Sequence, residues 1–488
     1  MKVLLIQPPH EYGAETRIPN EFPLGLGYIA KVLLQEGHSV KVLDIYGNQF
    51  KQEQVVDAIS KQDFKNFDII GISALSTQYN YVKWLSHEIK RRHPKKKIVV
   101  GGPLPLFSSE IVFKHTSIDI CALGEGETIF KNLLDNFDNL RKVNGINFKE
   151  GGKIMKTPAQ PYIKDLDAIP FPAWNLFPIT VYLNTPKYPE AYGLKTMNLI
   201  TSRGCPFNCN FCSKTFSGVR MRSIDNIIEE IKELKRLYNI RALHFTEELV
   251  MMNKQRMMEL CDALKPMKLK WVCQGRTNFV DYEMLKKMEE AGCVRVGYGI
   301  ESGSQKILNN MNKAQTVEMC DKAIRLTKKA GLIPVIQMMF GYPGETRETI
   351  KETIDFCDRV HAQPNAGEFF ITTPLPGTQL YDYALQKGLI GDEEKYLERL
   401  TGCGELLVNF TDFSDEEFMK LKKETENAIA RNYSRYRNKH LDVLIKEYAF
   451  KVFRFVRYCR YNGIAKSFKE VLLLLKNNPN QLFEAEYK

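Results

Sequence analysis

The stretch Arg203-Gly204-Cys205-Pro206-Phe207-Asn208-Cys209-Asn210-Phe211-Cys212-Ser213 places three cysteines within eight residues. Glycine, proline and two asparagines make it a loop. Such a loop buries little, so three incidental core thiols would be out of place on it. Three thiolates this close suit one metal centre. Structural zinc takes four ligands, often from CxxC pairs, and nothing here supplies the fourth. A cubane iron–sulfur cluster held by three cysteines leaves one iron open to a further ligand. The other eight cysteines, at 121, 261, 273, 293, 320, 357, 403 and 459, are scattered singly. Each reads as a small buried apolar residue. Eleven cysteines in 488 residues do not make a disulfide scaffold.

Outward from the loop, the chain alternates apolar strands and helices. Strands are expected at 197–201, 242–246, 270–273, 294–297, 334–340 and 368–372. Helices are expected at 224–238, 254–264, 282–291, 304–309, 317–330 and 346–360. Six β/α repeats fit a partial barrel, since a full eightfold barrel takes about 250 residues. Barrel chemistry sits at the carboxyl ends of the strands, and the cysteine loop follows the first.

Upstream, strands at 2–6, 39–44, 68–73, 97–101 and 118–123 alternate with helices at 24–35, 54–60, 79–92 and from 128. Continuous apolar strands alternating with helices mean a parallel sheet covered on both faces. A doubly wound sheet binds ligands at its carboxyl edge. The glycine-rich strand ends there are Gly101-Gly102 and Gly124-Glu125-Gly126. The plainer alternative is that they are only tight turns. Prolines at 158, 161, 170, 172, 178, 186 and 189 mark a linker or lid. The expected fold class is α/β. A doubly wound, Rossmann-like domain spans 1–143, a linker 144–195, a partial (β/α)6 barrel 196–390 and a helical region 391–488.

Composition narrows the classes. Hydrophobic residues make up 44% and charged residues 26%, which is globular. No apolar run reaches eighteen residues, so no spanning helix is expected. Met1–Ile6 turns directly into Gln7-Pro8-Pro9, too short for a signal peptide, and a cytoplasmic protein is the expectation. The net charge is +11, but 13 Lys/Arg against 5 Asp/Glu from Arg431 onward account for +8 of it. The rest is nearly neutral, which argues against a protein that coats nucleic acid. The basic tail interleaves aromatics at Arg431-Asn432-Tyr433-Ser434-Arg435-Tyr436-Arg437 and Lys451-Val452-Phe453-Arg454-Phe455-Val456-Arg457-Tyr458. It reads as an amphipathic helix packed on the barrel, as a peripheral membrane-surface helix, or least of all as a nucleic-acid contact.

The cysteine spacing, with Phe211 before the last cysteine, resembles the radical S-adenosylmethionine (radical SAM) superfamily. The first domain resembles the cobalamin-binding domain of one of its branches. It does so at Pro23-Leu24-Gly25-Leu26-Gly27-Tyr28, Gly101-Gly102-Pro103 and Gly124-Glu125-Gly126-Glu127. The linker Ile169-Pro170-Phe171-Pro172-Ala173-Trp174 is similar to that branch. So are Gly299-Ile300-Glu301-Ser302-Gly303, Phe340-Gly341-Tyr342-Pro343-Gly344-Glu345-Thr346 and Thr373-Pro374-Leu375-Pro376-Gly377-Thr378. The familiar DxHxxG signature is absent; Asp44-Ile45-Tyr46-Gly47-Asn48 has Tyr in the place of His. Neither His10 nor His38 is expected to bind cobalt.

The resemblance implies a [4Fe–4S] cluster on Cys205, Cys209 and Cys212, with S-adenosylmethionine and cobalamin as further cofactors. It implies reductive cleavage of S-adenosylmethionine to methionine and a 5′-deoxyadenosyl radical that abstracts hydrogen. Glu247 and Glu248 would meet its ammonium. Arg276 and Asn278 would make polar contacts to S-adenosylmethionine, Arg276 pairing with its carboxylate. Glu301 and Ser302 would lie by ribose or amine, and Gly341 and Gly344 by adenine. Gly101, Gly102, Gly124, Glu125 and Gly126 would line the cobalamin side. The expected reaction is cobalamin-dependent C-methylation of a small or lipid-like substrate. Oxidative cyclisation, C–C bond formation or ring rearrangement is the alternative, and a non-enzymatic iron–sulfur redox protein the third. A flavodoxin- or ferredoxin-like reductant is the implied partner.

Overall fold

The computed structural model describes residues 1–9, 19–247, 249–362 and 369–440. The first domain begins with β1 (Lys2–Gln7), α1 (Leu24–Gln35), β2 (Ser39–Asp44), the single turn α2 (Ile45–Asn48) and α3 (Gln52–Ser60). It continues with β3 (Ile69–Ser73), α4 (Tyr79–Arg92), β4 (Lys97–Gly101), α5 (Pro103–His115), β5 (Ile120–Ala122) and α6 (Gly126–Asp135). The five strands are parallel in the order β2-β1-β3-β4-β5. That is a doubly wound order with its switch point between β1 and β3.

The sheet extends past the expected boundary at 143. β6 (Ile146–Glu150) and β7 (Lys153–Lys156) form an antiparallel hairpin on β5 and bring the sheet to seven strands. Gly151 and Gly152, at φ 56° and 76°, make the two-residue turn, which requires positive φ at both positions. The linker then crosses to the barrel with α7 (Ile179–Asn184).

The second unit opens with β8 (Thr196–Leu199) and a two-stranded ribbon of β9 (Ser202–Arg203) and β10 (Arg220–Met221). The repeats follow as α8 (Ile224–Tyr238), β11 (Ala242–Phe245), α9 (Lys254–Leu264), β12 (Lys270–Gly275), α10 (Tyr282–Glu290) and β13 (Cys293–Glu301). After them come α11 (Gln305–Asn310), α12 (Val317–Lys329), β14 (Ile333–Phe340), α13 (Arg347–Arg359) and β15 (Phe369–Ile371). The strands form one open parallel sheet, β15-β14-β13-β12-β11-β8, the six strands of the expected partial barrel. α14 (Gln379–Gln386), α15 (Glu393–Arg399) and α16 (Asp415–Lys439) complete the described chain. Arg431–Arg437 therefore lies in the last turns of α16, while 451–458 falls outside the described residues. No helix among the described residues is long and apolar enough to cross a membrane.

The two sheets share one apolar core. Val3 and Leu5 of β1, Trp174 and Tyr182 of the linker, and Met197 and Leu199 of β8 belong to the same cluster. A second cluster joins Val82 and Leu85 of α4 to Tyr381, Tyr396 and Leu397 of α14 and α15. Close-packed side chains hold the first domain to the barrel on both sides, so their relation is set by packing rather than by the linker alone.

Candidate active site

The cysteine loop runs from β9 to β10, and its ends are tied. Gly204, at φ 92°, lies under the carbonyl oxygen of Gly218, where any Cβ would collide. Only glycine closes the loop there. Within the loop Cys212 N–H donates to the Cys209 carbonyl at 3.1 Å. Asn210 N–H reaches Met311 O, and Leu380 N–H reaches Asn210 O, both at 3.0 Å. Cys205 and Cys209 are half-buried and Cys212 is exposed, unlike Cys121, Cys261, Cys273, Cys293, Cys320 and Cys357, which are buried.

Arg276, at the end of β12, covers the loop. Its guanidinium lies 3.4 Å from Cys209 Sγ and 3.7 Å from the Phe207 ring centroid, and it donates to the Lys313 carbonyl. Asn278 donates to Ala314 O at 2.6 Å and so braces the same turn. Glu301 ends β13 at φ 68°, after a register shift against β14. Positive φ is costly for a residue with a side chain and is seen where a site demands it. Its carboxylate takes Lys313 Nζ at 2.5 Å, and both residues are buried. Lys313 also lies 5.3 Å over the Phe211 ring, which meets Tyr342 edge-on at 6.4 Å. Lys313 escaped the sequence reading; Asn312-Lys313 looks like an exposed turn, and only the fold brings it under Glu301.

Glu247 is buried after β11 and accepts the Thr201 N–H at 2.6 Å, which ties it to the strand leading into the loop. Glu248 lies outside the described residues. Ser302 is engaged within the fold: it meets Thr353 Oγ1 at 3.3 Å and accepts Ser304 N–H at 3.1 Å. Gly341 lies under the Phe418 ring and donates its N–H to Glu345. Gly344 faces the Asn310 amide. Burial pushes the Glu345 carboxyl up to about 8 against the Gly341 hydrogen bond.

The first domain presents the carboxyl edge of its sheet to this loop. Gly101 and Gly102 end β4 and start α5, whose Phe107 ring packs on Gly377 of the barrel. Pro376 O accepts from Ser213 Oγ at 3.4 Å, one residue beyond Cys212. Gly124 and Gly126 flank Glu125 in the turn after β5, and both Glu125 oxygens are held by Arg203 and Arg220. Asp44 accepts from Tyr182 at 2.6 Å and from Gly47 N–H at 2.7 Å, while Tyr46 reaches Asn20 at 3.2 Å. His38 lies at the opposite, amino edge beside the chain's first nitrogen, at 3.1 Å, far from any ligand of the carboxyl edge. His10 lies outside the described residues.

These residues fit the groups the motifs imply. Three half-buried or exposed thiols on a pinned loop suit a cubane, which takes its thiolates on separate irons. No three His, Cys, Asp or Glu side chains among the described residues converge on a single ion. Cations at Arg276 and Lys313 and carboxylates at Glu247 and Glu301 suit the charges of an amino acid moiety. The carboxyl edge of β1, β3, β4 and β5 is the ligand edge of a doubly wound sheet, here without an imidazole from His38.

A Radical SAM superfamily model matches residues 199–357, and a B12 binding domain model matches 16–134. An uncharacterized methyltransferase, PH0819 of Pyrococcus horikoshii, is 33% identical over 80% of this chain and 84% of its own length. Cytidylyl-2-hydroxyethylphosphonate methyltransferase of Streptomyces wedmorensis is 28% identical over 82% of this chain and 84% of its own. The structure of the radical S-adenosylmethionine methyltransferase TsrM of Kitasatospora setae superposes with a TM-score of 0.64 at 17% identity, covering 80% of this chain and 77% of that one. The chain belongs to the cobalamin-binding radical SAM superfamily. It is a radical SAM enzyme, with a [4Fe–4S] cluster, S-adenosylmethionine and cobalamin as its cofactors.

Proposed function

We propose that this enzyme methylates an unactivated carbon of a small or lipid-like molecule. One observation carries the reading: the carboxyl edges of both sheets meet at the cysteine loop, through Phe107 on Gly377 and Glu125 on Arg203. A reaction that uses two cofactors in turn needs both beside one substrate, and proximity of this kind removes a large entropic barrier. Two of the sequence relatives are named methyltransferases, which supports the same outcome.

When bound, the cluster with S-adenosylmethionine supplies the 5′-deoxyadenosyl radical, and cobalamin carries the methyl group. The chain does the rest. Cys205, Cys209 and Cys212 hold the cluster. Arg276 and Lys313 orient the methionine carboxylate, and Glu247 accepts hydrogen bonds from its ammonium. Phe211 and Tyr342 form an apolar wall that keeps water from a reactive radical. Electrons come from a flavodoxin- or ferredoxin-like protein. The basic end of the chain suits a peripheral surface contact.

The test is anaerobic reconstitution with iron, sulfide and hydroxocobalamin, followed by reduction with S-adenosylmethionine labelled in its methyl group. We expect about four irons and one cobalt per chain, 5′-deoxyadenosine in the medium, and label on the corrinoid. 5′-Deoxyadenosine without label on the corrinoid would overturn methylation and point to ring closure or rearrangement.

A further inference from the structure

Four charged side chains meet where the first domain touches the cysteine loop. Glu125 takes Arg203 Nη1 at 2.7 Å and Arg220 Nη1 at 2.8 Å, and Glu127 takes Arg203 Nη2 at 2.6 Å. Glu125 also accepts the Ile163 N–H at 2.6 Å. The Arg203 guanidinium stands 5.5 Å over Tyr28, and that of Arg220 stands between Tyr162 and Phe216 at 4.9 and 5.4 Å. The Glu125 side chain is 1% exposed and the Arg203 side chain 8%.

The placement matters more than the number of bonds. Arg203 and Arg220 are direct cross-strand partners in the β9–β10 ribbon, the two ends of the loop that carries the cysteines. Like charges directly opposite each other in a ribbon repel. The counter-ion that lets this ribbon close is Glu125, and it belongs to the other domain. Buried ion clusters seldom add net stability over well-packed apolar groups. This one leaves Arg220 Nε and Nη2 buried without a hydrogen-bond partner, a further cost. What the cluster supplies is therefore a defined geometry at the base of the loop.

We infer that Glu125, Arg203 and Arg220 are positioning residues that make the conformation of the iron–sulfur loop depend on the ligand state of the first domain. Glu125 sits in the turn after β5, on the ligand edge of its sheet. A ligand that orders this turn orders Glu125, and through it both ends of the cysteine loop. Linkage makes the effect reciprocal: cluster and cobalamin each favour binding of the other by the same factor. The inference goes beyond methylation and holds for any product of the substrate radical.

The experiment measures the affinity for hydroxocobalamin by visible spectroscopy, under anaerobic conditions and without substrate. The full chain is compared with its cluster loaded and with iron removed. The expected ratio for the wild type is on the order of tenfold, within the usual span of coupling between sites. In Glu125→Gln the ratio falls to about one while iron uptake is kept. Arg203→Lys, which keeps the charge but cannot fork between Glu125 and Glu127, lowers it in the same direction. It carries the test if Glu125→Gln does not fold. Lys83→Met removes two ion pairs between α4 and α15 remote from the loop, and it leaves the ratio unchanged. A wild-type ratio of one, or a full ratio in both loop variants, overturns the inference. Because no methyl acceptor is present, neither result bears on the methylation reading.

Discussion

A buried ammonium is stable only with a carboxylate to answer it, and Glu301 answers Lys313 at 2.5 Å. Removing one partner of a buried pair leaves the other charge without compensation, at about 3–5 kcal/mol. Lys313→Met is expected to lower unfolding free energy by that order in urea titration. Adding Glu301→Gln should recover part of the loss, since the orphaned charge is then gone. Glu345 titrates in the other sense. Burial raises it from the ordinary 4.5 to about 8, so the folded chain holds this proton more tightly than the unfolded chain. The stability so gained is complete below 4.5 and is lost as pH rises through about 8. The urea midpoint of the wild type should therefore fall between pH 5 and pH 8. Glu345→Gln, neutral throughout and still able to accept from Gly341, should lack that part of the slope; an equal slope in both would refute the assignment. The three cysteines were legible at this scale because their spacing is itself the signal. Lys313 was not, because a single lysine in a turn reads as solvated until β13 and its bulge place it.

At the scale of elements, α16 anchors the far side of the barrel. Ser414 caps it by accepting the Glu417 N–H, and Asp415, Glu416 and Glu417 favour its positive N-terminal end. Phe418 is fully buried, stands edge-on to Phe340 at 5.0 Å and covers Gly341. Phe418→Ala should cost about 3–5 kcal/mol. It should also loosen the turn that holds Glu345, seen as faster amide exchange at Gly341. Long apolar strands and amphipathic helices were readable from periodicity, because burial imposes that pattern wherever the element packs. The β6–β7 hairpin falls in the stretch expected as a linker, since its outer strand is only four residues long and mostly exposed. The ribbon of β9 and β10 has two residues per strand, too few for any pattern.

For the whole molecule, local sequence determined the two α/β units, their order, the six barrel strands and the three-thiol loop. Each of these rests on short-range spacing: apolar periodicity, strand length, or three cysteines in eight residues. Only the tertiary structure decided how the units face each other. Glu125 and Arg203 are 78 residues apart, and Phe107 and Gly377 are separated by most of the barrel. Nothing local distinguishes such a glutamate from one on the surface, because its partner is chosen by the path of the chain. The linker prolines announced a crossing, but one continuous core through β1, the linker and β8 set its angle. Close packing has few solutions, and the solution found here brings two ligand edges to one loop.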